Sequence, residues 1–103
     1  MLQRVHSSHF QLLLGQTRTL TLPDGSSLPV RFEHLEEIPR AKMPNAERIP
    51  FNVEFNSLES TAFVDGLCAL DVPELGKIEG VFVSRVPPMG RDPALGYFYI
   101  AFN

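Results

Sequence analysis

Tryptophan is absent from the 103 residues, and cysteine occurs once, at Cys68. A lone thiol cannot close an internal disulfide, so nothing in the chain calls for an oxidising compartment. No apolar run approaches the ~18–20 residues that a membrane-spanning helix needs. Basic clusters are missing as well. Seven arginines and two lysines are scattered singly against twelve acids, for a formal net charge of −3. Nucleic-acid binding draws its affinity from a clustered positive face that neutralises phosphates. The densest basic grouping, Arg40 to Arg48, is interrupted by Glu47 and follows Glu36-Glu37. No nucleic-acid or membrane partner is therefore expected. There is no Gly-x-Gly-x-x-Gly after a strand, no Gly-x-x-x-x-Gly-Lys and no Cys-x-x-Cys, so no cofactor is expected either. The segment from Met1 to Ser8 lacks the apolar core of a secretory signal, which leaves the cytoplasm as the default address. Internal repeats and low-complexity tracts are also missing.

What remains is enough for one domain, residues 1–103. The chain is 44% hydrophobic, with nine prolines and seven glycines. A domain of this length buries roughly 60–70% of the surface its unfolded chain exposes, so a core can form without disulfide or metal staples. Residues 7–15 predict a short helix: Ser7 or Ser8 can cap it, Phe10, Leu13 and Leu14 form an apolar face, and Gly15 suits a left-handed stop. About two turns are not stable alone, so this helix must pack on something larger.

That larger element reads as a sheet. Thr17 to Leu22 alternates, Pro23-Asp24-Gly25-Ser26-Ser27 carries turn chemistry, and Leu28, Val30 and Phe32 alternate again, which predicts a hairpin. Pro39, Pro44 and Pro50 bracket a polar, aperiodic surface loop. Phe51, Val53 and Phe55 share one face of a strand. Ser57 to Asp65 fits neither period. Gly66 opens a strand over Leu67–Val72 with Cys68, Leu70 and Val72 inward. Pro73-Glu74-Leu75-Gly76 turns into the longest strand, Lys77–Val86. A ten-residue loop, Pro87–Gly96, leads to Tyr97–Asn103, in which Phe98, Ile100 and Phe102 share a face. Six strands punctuated by turns, with one helix and no βαβ alternation, predict a mainly β fold, either a small antiparallel barrel or a two-layer sandwich.

Few residues offer chemistry. Cys68 lies between Leu67, Ala69 and Leu70 on an inward face, which suits a core thiol better than a nucleophile. Ser8 and His9 are one apart, too far around a helix for a nucleophile–base contact. His6 and His9 could share a helix face, but two histidines without further ligands make a weak metal signal. His34 and Glu36 could transfer a proton at a strand end, or they could be solvated polarity beside Glu33 and Glu37. The chain is not expected to be an enzyme, and no catalytic or metal residue is assigned.

A second apolar face points toward binding. With Phe82, Phe98, Ile100 and Phe102 inward, Val81, Val83, Tyr97 and Tyr99 face outward, where an antiparallel sheet normally shows polar residues. The N-terminal helix could cover this face, or a partner or second copy could cover it. A one-residue register slip would dissolve it. The Pro87–Gly96 loop adds Met89, Arg91 and Asp92 to the candidate surface, being longer than hairpin loops usually are. A barrel mouth lined by Phe51, Phe55 and Phe63 would be the alternative, a small-ligand site.

Several separate pieces resemble one family. They are Phe10-x-x-Leu13-Leu14-Gly15, the Phe51-x-Val53-x-Phe55 strand, Pro73-Glu74-Leu75-Gly76, and the closing Phe98-Tyr99-Ile100-Ala101-Phe102-Asn103. Together they look like a group of bacterial proteins of about this length, classed only as a domain of unknown function and ending in a Tyr-x-Ala-Val-Phe-Asn-like strand. The chain departs from that pattern at Phe98, where Tyr is usual, and at Asp71-Val72, where a His would precede the proline turn. The resemblance implies an accessory or assembly role, in company with phage-tail-collar-like or surface proteins. It supplies no catalytic residue to carry over.

Overall fold

Each reversal of the chain sits where the turn residues put it. At the first hairpin, Gly25 takes φ +88°, and Asp24 Oδ1 accepts from the Ser26 amide at 2.9 Å and the Ser26 hydroxyl at 2.6 Å. Those two bonds hold the Asp24 carboxyl below its ordinary pKa. In the computed structural model, which describes residues 2–46 and 48–103, six strands result. They are β1 (Thr17–Thr21), β2 (Ser27–Glu37), β3 (Phe51–Ser57), β4 (Asp65–Val72), β5 (Gly76–Val86) and β6 (Tyr97–Phe102). Met1 and Glu47, the latter invoked above as breaking the basic grouping, lie outside the described residues.

The strands close into an antiparallel barrel in the order β1-β2-β3-β6-β5-β4. A six-stranded barrel is narrower than the eight-stranded kind whose interior side chains just fill, so its centre is solid. Phe32 lies 5.2 Å from Phe55, Phe55 lies 5.7 Å from Phe98, and Phe51 stacks on Phe102 at 4.8 Å, ring centre to ring centre. Cys68 is buried among them. Loss of solvation pushes its thiol pKa up to about 11, the signature of an inert core residue.

One end of the barrel is plugged by the N-terminal segment. Helix α1 is shorter than the periodicity predicts, spanning Ser7–Gln11. Leu13 and Leu14 follow in turns, and Gly15 closes them with φ +79°. The cap also differs. The His6 amide donates to His9 Nδ1 at 2.9 Å, while the Ser7 hydroxyl donates to Glu37 at the end of β2. Phe10 enters the barrel end, with ring centres 5.9, 6.0 and 5.4 Å from Phe32, Phe51 and Phe102. Val5 and Leu13 are fully buried beside it. Burying each such side chain is worth roughly 1.5–3 kcal/mol, which is how so short a helix persists.

Arg48 locks the plug. Its guanidinium donates to the carbonyls of Leu2, Val5 (2.7 Å) and Asn103 (2.9 Å), and it lies over Phe102 at 5.4 Å. At the opposite end, Arg85 donates to the Thr61 and Phe63 carbonyls, both at 2.9 Å. This draws the irregular 58–64 segment over Phe98. Ser57, fully buried, donates to the Glu59 carbonyl and accepts from the Gly96 amide. No described helix is long and apolar enough to cross a membrane.

Candidate interaction surface

Strand β5 decides which apolar residues reach solvent. Leu70 on β4 pairs with Ile78, but Cys68, two residues back, pairs with Val81, three residues on. One extra residue is therefore inserted at Glu79-Gly80. Gly80 takes φ +68° there, as the glycine form of a β-bulge requires. The insertion advances the inward phase by one. Val81 and Val83 enter the core, at 1% and 0% exposure, and Phe82 points out at 54%.

This corrects the expected outward face. Val81 and Val83 are interior residues and cannot contact a partner, while Phe82, expected inside, stands outside. The expected register assumed unbroken alternation. The polar pair Glu79-Gly80 between Ile78 and Val81 was the available signal of a bulge. Along β6, Phe98, Ile100 and Phe102 are inward as expected.

Phe82 has company. Its cross-strand partner on β4 is Leu67, 59% exposed. Leu67 was missed because its strand was read only for its inward residues. On the other side of Phe82, Ser84 pairs with Tyr99, which is half-buried. Past Ser84 the ladder between β5 and β6 stops, and a groove of about 270 Å³ opens between Phe82 and Ala101, ending at Leu2 and Arg48. Ala69 and Ala101 are small and uncharged. Charges ring the patch: Asp65 and Asp71 flank Leu67 along β4, Lys77 on β5 pairs with Asp71, and Glu54 pairs with Tyr99 from β3.

The helix does not cover this face, because α1 sits at the barrel end on Phe32, Phe51 and Phe102. The loop over 87–96 covers part of it. Arg91 stacks on Tyr97 at 3.9 Å and donates to the Pro88 carbonyl at 2.7 Å. The Tyr97 hydroxyl donates to the Asp92 carbonyl at 3.2 Å, so Tyr97 is 6% exposed and belongs to the loop's own packing. Asp92 is occupied too, its carboxylate accepting from the Ala94 amide. Met89, with φ +54° beside Gly90 at +88°, tops a tight turn and is 80% exposed. Of the seven residues expected at the surface, Met89, Arg91, Asp92 and Tyr99 are accessible in differing degree, Tyr97 is covered, and two valines are internal.

Beyond Leu67 the surface dips into a cleft of about 390 Å³ between the β1–β2 turn and the 61–65 segment. Leu22, Pro23 and Phe63 form apolar walls, and Asp24 and Asp65 supply carboxylates. Pro23 sits directly against Gly66, where a Cβ would come within 2.7 Å of its ring. Phe63 is thus at a cleft, whereas Phe51 and Phe55 are packed inside and line no mouth.

The other chemistry-bearing residues do not converge. His34 and Glu36 lie on β2 past its own bulge, exposed, facing Glu54 and Asn52 across the ladder. Among the described residues, no group of three or more His, Cys, Asp or Glu is placed to hold a metal ion.

A family model, Domain of unknown function (DUF6916), matches residues 5–102. No curated protein and no solved structure matches the chain.

Proposed function

We propose, from the premise that the chain belongs to the DUF6916 family, that it is a non-enzymatic interaction and assembly module. Its docking surface is the outer face of β4, β5 and β6 around Leu67, Phe82 and Tyr99, with the Met89 turn beside it. The observation that carries this reading is the cross-strand pair of Leu67 and Phe82, each more than half exposed on an antiparallel sheet. Such a sheet face is ordinarily polar toward water, and contiguous exposed apolar residues mark contact sites. Asp65 and Glu54, with Asp71 offset by Lys77 opposite it, leave the rim net acidic and favour a partner surface with basic residues around an apolar centre, since like charges across an interface repel. An accessory place beside a phage-tail-like or surface protein is the setting we infer for it.

Phe82→Lys and Leu67→Lys test the surface. Each puts a cation on an exposed position, so folding is retained. A protein bound by the native chain, identified and purified, must lose affinity at least tenfold for both variants. Unchanged affinity in both would remove this face from the interface.

The cleft between Pro23 and Phe63 supports a second reading, a small-ligand site. Its volume of about 390 Å³ lies within the usual range for ligand pockets. Native mass spectrometry of the freshly purified chain distinguishes the two through a retained small molecule.

A further inference from the structure

We propose that the partner is a second copy of this chain, joined head to tail: the exposed 39–45 tip of the loop between β2 and β3 of one molecule enters the Asp24/Asp65 cleft of the next. This rests on the interaction-module reading and extends its surface past Leu67 into the cleft. The loop leaves from the plugged end of the barrel, between the end of β2 and the start of β3, and is pinched at its neck by the Ile38 amide donating to the Pro50 carbonyl at 2.7 Å. Beyond the neck, residues 39–45 are exposed throughout. Arg40 and Lys42 project there with Met43, which is 71% exposed. No acid lies between Pro39 and Ala46; Glu47, which follows, is outside the described residues.

The cleft has the opposite character and the opposite position. It lies where β1 ends and β2 and β4 begin, a full strand length from the loop. Asp24 and Asp65 give it negative charge with no basic side chain in its lining, and Pro23 and Phe63 give it walls fit for a methionine or the methylene stem of a lysine. Leu67 continues the apolar surface from Asp65 along the same face of β4. A basic, apolar-tipped loop at one end and an acidic, apolar-walled cleft at the other are complementary between molecules and not within one. The contact is therefore heterologous, and repeating it builds a ring or a filament. A symmetric dimer through the cleft would instead bring carboxylates against carboxylates.

The molecule measures 41 × 29 × 22 Å. An end face of the two shorter dimensions offers on the order of 500 Å² per partner, the low end of specific interfaces. Assembly is accordingly weak, concentration-dependent and sensitive to salt.

Sedimentation velocity over a concentration series, with four samples, tests this. The native chain should grow in mass with concentration up to about 1 mM and shrink again at high salt. Asp24→Asn with Asp65→Asn neutralises the cleft and keeps the Asx turn. Arg40→Gln with Lys42→Gln neutralises the loop. Each double variant alone should associate at least tenfold more weakly than the native chain. Mixed one to one, they retain a single native loop–cleft pair, and a 1:1 dimer with nothing larger should form. A native chain that stays monomeric overturns the proposal, as do variants that assemble like the native chain, or a mixture that yields no dimer. A monomeric native chain whose identified partner is lost on Phe82→Lys would overturn head-to-tail assembly while leaving the interaction-module reading in place.

Discussion

Replacing Arg48 by methionine should release the N-terminal plug. The guanidinium donates to three carbonyls from two separate segments, Leu2 and Val5 on one side and Asn103 on the other. It also covers the stacked Phe51 and Phe102 rings. A hydrogen bond to a charged group contributes about 1.5–3 kcal/mol, and removing the donor leaves its acceptors unpaired. Arg48 is partly exposed, so water recovers some of that loss, and methionine retains the stem's packing. A net cost of about 3 kcal/mol follows, which for a domain of this size lowers Tm by about 12–20 °C. Urea unfolding gives the free energy. Hydrogen exchange gives the location, with the Val5, His9 and Leu13 amides losing protection before those of β3. Arg48→Lys keeps the charge but cannot fork among three carbonyls, and should recover less than half of the loss. A methionine variant within about 0.5 kcal/mol of native, with unchanged exchange at Val5, would refute the lock.

Two further outcomes follow from single residues. Gly80→Ala meets open space but a backbone at φ +68°, so it should cost about 1–2 kcal/mol in denaturant unfolding, and Gly80→Asn less, because asparagine tolerates that region. Raising the pH should destabilise the fold between about 9, where the Cys68 thiol ionises when solvated, and about 11, where it ionises in the core. Across that window the unfolded chain gives up a proton that the folded chain keeps, so stability is fully present below pH 9 and falls by on the order of 2–3 kcal/mol above it. Cys68→Ala should lack that component of the pH dependence in paired urea titrations.

Most of the architecture was legible because punctuation and period agree. Asp24-Gly25 and Pro73–Gly76 mark reversals that the ladder pairs then occupy, and Phe51, Val53 and Phe55 face inward as their spacing requires. Closure of the barrel was not legible, since the contact of Thr21 with Ala69 that joins β1 to β4 is a single non-local pair and leaves no periodic trace. The interaction surface failed for a sharper reason. Period-two reasoning carries a face along a strand only while no residue is inserted, and one glycine at position 80 exchanged the roles of Phe82 and its two valine neighbours. Tyr97 was misplaced differently: an outward position on β6 became a covered one because Arg91 folds back over it, a contact between loop and strand that spacing alone does not encode.

Unfolding free energies of Val81→Ala and Phe82→Ala, compared side by side, test the bulge and hence the identity of the exposed face. Val81 is interior, so its truncation should cost about 2 kcal/mol, and Phe82 stands in solvent, so its loss should cost under about 1 kcal/mol. If Phe82→Ala instead costs the 3–5 kcal/mol typical of a buried phenylalanine while Val81→Ala is nearly silent, the phenylalanine belongs to the core and the docking surface described for β4 and β5 does not exist.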